Sequence, residues 1–284
     1  IVLDLIDNYI DGFHNSYEWG YSIPYFLAGS HSAHVNNISY LSAKAGIASR
    51  DINFLLNRLD PVERKRYDYS LLEKTYLDYQ NTHCEDDSAI ASLQNALSGK
   101  DILVLLPGHT IKTCQGQIQH FYKEKNPIVI SVNLLTDCYP IDFAYFSNKN
   151  RYQYWRNEAA FNKCKKIVTS NVTTRKDDNL FIIDFLRLVK CGWEQLDNSG
   201  VLLLRLLDLM NVNSISIAGF DGYSHNSENP NYVEKAMEKT RNTLNAEEAN
   251  KDIKSMLVDY KNTRKSSCPI SFITPSYFET VMDE

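Results

Sequence analysis

From residue 100 onward, short apolar runs alternate with amphipathic stretches of helix length. The runs are ILVLL between Asp101 and Pro107, IVISV between Pro127 and Asn133, DFAYF between Ile141 and Ser147, IVTS after Lys166, FIIDF after Leu180, ISIAGF between Ser214 and Asp221, and ISFI between Pro269 and Thr274. Each is too short for a helix and apolar on both faces, the pattern of strands covered on both sides. Between them lie stretches with helical periodicity: one reaching about Lys125, one through Arg151-YQYWRNEAAF, one at Gly200-VLLLRLLDLM and a long one from about Asn231 to Lys261. Strand, helix and strand in this order predict parallel neighbours joined by crossovers, hence an α/β fold with a Rossmann-like parallel sheet over residues 99–284.

Residues 1–98 carry no comparable run. Apolar positions recur at helical spacing in VLDLIDNYIDGF, IPYFLAGSHSA, INFLLNRL and YSLLEKTYLDY. Pro24 suits a first helical turn, Ser49 a helix N-cap, and Asp60-Pro61 a further helix start. An all-helical segment is therefore expected before the sheet, with the boundary between Asn81 and Lys100, near residue 98.

Composition narrows the class. The chain has 284 residues, 43% hydrophobic and 23% charged, which excludes a disordered or low-complexity protein. The net charge of -5 divides into an acidic first third, a basic middle and an acidic last third. That distribution favours a small anionic ligand over nucleic acid, which demands a basic excess across a whole domain. No apolar run approaches the roughly 20 residues of a membrane-spanning helix. Cys84, Cys114, Cys138, Cys164, Cys191 and Cys268 form no CxxC pair and no metal spacing, so reduced thiols and a cytoplasmic location are expected, with no metal or cofactor. His31 and His34 stand three apart with no carboxylate at a suitable spacing to join them.

Four constellations carry candidate chemistry. Pro107-Gly108-His109-Thr110 follows a strand and opens a helix, so it reads either as a tight turn with Thr110 as cap or as a loop where a phosphate meets helix amides. Asn133 and Asn148 end consecutive strands, where Asn forms a turn through its own side chain or presents an amide to a nucleotide. Asn198-Ser199-Gly200 precedes the apolar helix, with Ser199 as N-cap or as part of a second anion-facing helix start. Gly219-Phe220-Asp221-Gly222-Tyr223-Ser224-His225 gathers a carboxylate, a phenol and an imidazole at a strand's end, suited to acid–base work or to a polar loop organised by Asp221.

Taken together, strand-PGHT-helix, VISVN, AYFSN, NSGVLLLRLLDLMNVNSISIAGFDGY and CPISFITPSYF resemble, in order and spacing, the bacterial CMP-sialic-acid sialyltransferases with a single Rossmann-like domain. They are also similar to pterin diphosphokinase-like domains of polysaccharide clusters. The resemblance covers residues 100–284 and implies inverting sugar transfer from a CMP-linked donor without a metal. It implies that Gly108, His109 and Thr110 lie near phosphate, Asn133 and Asn148 near the nucleotide, and Ser199 and Gly200 near the cytidine, with Asn198 also among the nucleotide-binding residues. It also implies Tyr223 near the departing phosphate, with Asp221 shaping the site. The segment matching the family's general base, Arg241-NTLNAEEANKDIKSML, has no His, which leaves His225 or Asp221 as the candidate base.

The first 98 residues resemble something else. Trp19-GYSIPYFLAGSHSAHVNNISYL and Ile47-ASRDINFLLNRLDPVERKRY are similar to the helical segment after the barrel of HMG-CoA-lyase-like aldolases labelled 4-hydroxy-2-oxovalerate aldolase. The barrel itself, of about 250 residues, is not in the chain. The expectation is thus the C-terminal part of a longer polysaccharide-pathway protein, whose partners are a nucleotide or CMP-sugar and an N-terminal aldolase barrel. A non-catalytic regulatory region, or one that builds a homo-oligomer around such a barrel, is the alternative.

Overall fold

A computed structural model describes residues 84–172, 180–190, 192–193, 198–224, 232–233 and 246–283. The helical segment expected over residues 1–98 lies outside them up to residue 83, as do His31, His34, Cys191 and His225. The elements in chain order are α1 (Asp87–Leu97), β1 (Asp101–Leu105), α2 (Thr110–Thr113), α3 (Gln115–Lys125), β2 (Ile128–Val132), β3 (Phe143–Phe146), α4 (Lys149–Trp155), a 3-10 turn (Ala159–Lys163) and β4 (Lys165–Thr169). There follow β5 (Leu180–Ile183), α5 (Phe185–Leu188), α6 (Ser199–Leu207), β6 (Ser214–Ala218), α7 (Ala246–Thr263), β7 (Ile270–Phe272) and α8 (Glu279–Asp283).

The strands form one seven-stranded sheet in the order β5-β4-β3-β2-β1-β6-β7, and every neighbouring pair is parallel. This is the α/β Rossmann-like arrangement that the alternation of runs predicts. Leu103, Leu105, Val129, Ala144, Phe146 and Val168 join Ile111, Ile118, Tyr152, Trp155 and Phe161 in one buried cluster. Ile102, Val104, Ile130, Val132, Tyr145, Ile167, Ile215 and Ile217, the alternate positions, are also buried. Burial on both faces is why the strands read as unbroken apolar runs rather than as alternation.

Helix α6 packs on β2 and against α5 and α7. Val201, Leu202, Leu203, Leu204, Leu206 and Leu207 are all buried, as expected of a helix that is apolar around its circumference. Its one cation, Arg205, donates to the carbonyl of Leu188 at 3.0 Å and stands 3.6 Å from Asp259. Helix α7 turns Ala246, Ala249, Ile253, Met256, Leu257 and Tyr260 inward, the one-sided stripe of a surface helix. Tyr232 and Val233 do not open that helix, as the periodicity suggests; they form a bend in which Val233 N–H donates to the carbonyl of Pro107 at 2.9 Å.

The β1–β6 pair is pinned at its start by Asp101, whose carboxylate accepts from Asn213 Nδ2 at 2.6 Å and Ser214 Oγ at 2.5 Å. These two bonds hold the Asp101 carboxyl below its ordinary value. At the far edge, the Asp86 side chain, 1% exposed, accepts from Asp184 N–H at 2.9 Å and from both arms of the Arg187 guanidinium, fixing the start of α1 to the end of β5. The compact unit holding the sheet comprises Asn81–Trp193 and Asp197–Glu284, so α1 belongs with the sheet.

Removing the Asp86 carboxylate strands a buried amide and the guanidinium together. Asp86→Ala is expected to lower the free energy of unfolding by about 2 kcal/mol, measured by urea denaturation followed by circular dichroism.

Candidate functional site

In an open parallel sheet a crevice forms beyond the carboxyl ends of two adjacent strands whose following connections leave in opposite directions. Here β1 leads to β2 on one side and β6 leads towards β7 on the other, while β1 and β6 are neighbours. The crevice position therefore falls between the PGHT loop and the GFDGY loop.

These two loops are locked to each other. Gly108 N–H donates to Gly219 O at 2.9 Å, and a Cβ on Gly108 would stand 2.4 Å from that oxygen and 2.6 Å from the Asp221 carboxyl carbon. Gly219 has φ +76, and a Cβ there would meet Leu106 O at 2.1 Å. Both positions need glycine because backbone touches backbone. Asp221 accepts from Thr110 N–H at 2.8 Å and from Thr110 Oγ1. Thr274 Oγ1 lies 3.0 Å from Thr110 Oγ1 and accepts Gly219 N–H at 3.0 Å. Burial pushes the Asp221 carboxyl above its ordinary value, opposed by the bonds from Thr110 and by His109 beside it. Thr110 is thus not the cap of its helix. It is the first helical residue, and a carboxylate from another strand satisfies the amides that the sequence reading offers to phosphate.

A second cluster joins β2, β3 and α6. Asn133 follows β2 with φ +53, held there because its N–H donates to Tyr145 O and its carbonyl accepts Trp155 Nε1. Asn133 is 9% exposed. Asn133 Nδ2 donates to Ser199 Oγ at 2.8 Å, and Ser147 Oγ donates to the same oxygen at 2.7 Å. Asn133 Oδ1 is buried with no hydrogen-bond partner. His109 Nδ1 and Ser131 Oγ, at or near the ends of β1 and β2, are likewise buried and unpartnered. Buried polar atoms left open cost stability and call for a partner such as a water, an ion or a ligand; Arg205 Nε and Nη2 on α6 and Tyr260 Oη on α7 are others among the described residues.

Asn198, not Ser199, is the N-cap of α6: its Oδ1 accepts from Gly200 N–H at 2.9 Å and Val201 N–H at 3.2 Å. Ser199 is left free for the cluster. A Cβ on Gly200 would stand 2.6 Å from Leu106 Cδ2, which brings α6 against the end of β1. Asn148 caps α4, its Oδ1 accepting Arg151 N–H at 3.1 Å. Asn171 extends the polar edge by donating to the Ser147 carbonyl at 3.3 Å.

Tyr223 is fixed through its backbone, which exchanges two hydrogen bonds of 2.8 Å with the Asn250 side chain on α7. Its hydroxyl lies 3.3 Å from that of Tyr232, over whose ring the Arg151 guanidinium sits at 5.5 Å. Of the residues singled out in the sequence, Gly108, His109, Thr110 and Asp221 meet in the first cluster, and Asn133 and Ser199 in the second, with Asn198 and Gly200 supporting it. Asn148 caps α4, and Tyr223 lies two residues beyond Asp221 in the GFDGY loop. Sequence reasoning passed over Ser147, Thr274, Asn250 and Tyr232. Ser147 carried a signal, its place beside Asn148 at a strand's end; Asn250 sits inside a helix with none.

Comparison with protein-family models, curated proteins and solved structures gave no match to this chain. Among the described residues, no group of three or more His, Cys, Asp or Glu is gathered as metal ligands, and no helix is long and apolar enough to cross a membrane. The described cysteines, Cys84, Cys114, Cys138, Cys164 and Cys268, are free thiols.

The raised Asp221 carboxyl has a defined sign in stability. Above the ordinary value of 3.8, the native state still binds a proton that the unfolded chain has lost, so stability falls as pH rises through that window. Asp101, shifted the opposite way, acts below the window, where stability falls as pH falls. Urea denaturation across the acid range is expected to give a shallower decline above the ordinary value in Asp221→Asn than in the wild type. Parallel profiles would remove Asp221 as its source.

Proposed function

We propose that the sheet unit binds a nucleotide, that a CMP-linked acidic sugar is the ligand, and that transfer of the sugar to an acceptor hydroxyl is the reaction. The observation that carries the reading is the Asn133–Ser199–Ser147 cluster, with an amide oxygen buried and unpartnered beside the start of α6. A ligand that both donates and accepts would complete it, and nucleosides offer such edges. The place of the cluster, at the carboxyl ends of parallel strands next to the switch between β1 and β6, supports the same reading.

In the proposed transfer, the acceptor oxygen attacks the anomeric carbon with inversion. The bond to CMP breaks, and CMP leaves with the electron pair. Tyr223 suits the departing phosphate as a hydroxyl donor on a backbone braced by Asn250. Asp221 already accepts from Thr110 through both carboxylate oxygens. That arrangement fits a residue that shapes the loop rather than one that takes the acceptor's proton, leaving His225 as the candidate base.

Titration calorimetry with CMP tests the binding. The wild-type chain is expected to bind CMP, and Ser199→Ala or Asn133→Ala to weaken it about tenfold, the loss of one hydrogen bond with its partner left open. Absence of CMP affinity in the wild type, or variants that bind equally well, would sink the proposal.

A further inference from the structure

Single apolar side chains scattered over a surface are ordinary. Tyr154, Ile182, Leu186 and Val258, exposed on α4, β5, α5 and α7, are of that kind. Tyr277 differs from them in place and in mounting. It is 56% exposed, more than any of the four, and it lies in the loop after β7, at the carboxyl ends of the strands. Its N–H donates to Asp221 O at 3.0 Å. A Cβ on Gly222, which has φ +89, would stand 2.7 Å from Tyr277 Cβ, so the side chain leaves the backbone directly against the GFDGY loop. On one side of it Ser276 Oγ donates to Phe220 O at 2.5 Å. On the other, Phe278 is fully buried, packs on Phe220 at 4.8 Å and meets the Tyr277 ring edge-on at 5.5 Å. The ring is open to water while its base is held from both neighbours.

We infer that Tyr277 is a stacking platform for a sugar ring of the acceptor, and so a residue that sets acceptor specificity. On the transfer reading above, on which this rests, the ring receives the second substrate. Order along the sheet decides which substrate that is. The Asn133–Ser199 cluster lies by β2, Tyr223 follows β6 and Tyr277 follows β7. From the end of β2 to the end of β7 is three strand spacings, about 14 Å. With the nucleotide held at the cluster and its phosphate departing by Tyr223, the side left for the acceptor is that of Tyr277. An acceptor needs a hydroxyl to react and a flat apolar face to gain from an aromatic plane, and a pyranose supplies both. Its hydroxyls project mainly from the rim, and the C–H bonds of one face present positive edges to the negative face of the aromatic ring. Because the tyrosine is mounted in advance, little freedom is lost when the sugar arrives.

The test is saturation-transfer NMR on the full chain with CMP present, with methyl β-D-glucopyranoside, methyl β-D-galactopyranoside and methyl α-D-mannopyranoside as probes. Tyr277→Phe and Tyr277→Ala are the variants, and calorimetry with CMP accompanies each. In wild type, protons of one ring face are expected to receive more saturation than those of the opposite face in at least one glycoside. Tyr277→Phe keeps the plane and is expected to keep that pattern. Tyr277→Ala is expected to lower the signal of that face about fivefold or more, with CMP affinity within about twofold of wild type. Equal transfer in Tyr277→Ala overturns this inference alone, as does a wild type that binds CMP and transfers to none of the three glycosides. Loss of CMP affinity in Tyr277→Ala would make the side chain a prop for the GFDGY loop and overturns it too. A wild type with no CMP affinity overturns the nucleotide reading and the acceptor assignment with it.

Discussion

The pairing of β1 with β6 is the constraint on which the rest depends. Every other strand is added outward from these two, and an aspartate fastens each end of the pair. Asp101 joins the strand starts through Ser214 and Asn213; Asp221 joins the loops beyond the strand ends through Thr110. The two differ in their surroundings. Near solvent, hydrogen bonds dominate and the Asp101 carboxyl is held low; in the closed loop, desolvation dominates and the Asp221 carboxyl is pushed up. The second fastening costs more to ionise, yet it fixes the crevice walls on either side of Gly108 and Gly219, where no side chain fits.

The fold was legible because parallel strands buried on both faces cannot hide their apolar runs. ILVLL, IVISV and SISIA are each flanked by turn residues, and the helices between them leave no antiparallel route. The order of the strands was not legible, since adjacency of β1 and β6 is a long-range choice that no local period encodes. The site divides in the same way. Asn133, Ser199 and Asp221 could be picked out because a polar residue at the end of an apolar strand or before an apolar helix stands out. Their partners could not: Thr274, Ser147 and Asn250 acquire meaning only when distant segments meet. The helix starts are ambiguous for the same reason. Thr110 and Ser199 look like caps in isolation, but Asp221 and Asn198 take those tasks, and both hydroxyls turn to other partners.

The polar edge and the apolar helix behind it are two sides of one arrangement. Six aliphatic side chains of α6, from Val201 to Leu207, sink into the unit and hold its first turn against Leu106 and the end of β2. Beside it Asn133 is held in a left-handed backbone conformation by its bonds with Tyr145 O and Trp155 Nε1, one that asparagine adopts more readily than most residues, and its amide oxygen is left unanswered. Rigid support under an unsatisfied edge is what keeps a recognition surface in shape before its ligand arrives.

The separation of Asp101 from Ser214 by 113 positions has a kinetic meaning. β1 meets β2 across a short connection, but its other neighbour must come from far along the chain, and closing so long a loop is slow and entropically late. Both the glycine contact and the Gly200 approach to Leu106 wait for that closure. A sheet of β1 to β5 alone, five of the seven strands, would lack the crevice between β1 and β6. On the binding proposed above, affinity for the ligand reports docking of α6 beside β2 and β3, since Ser199 meets Ser147 across 52 positions, and not the mere presence of secondary structure.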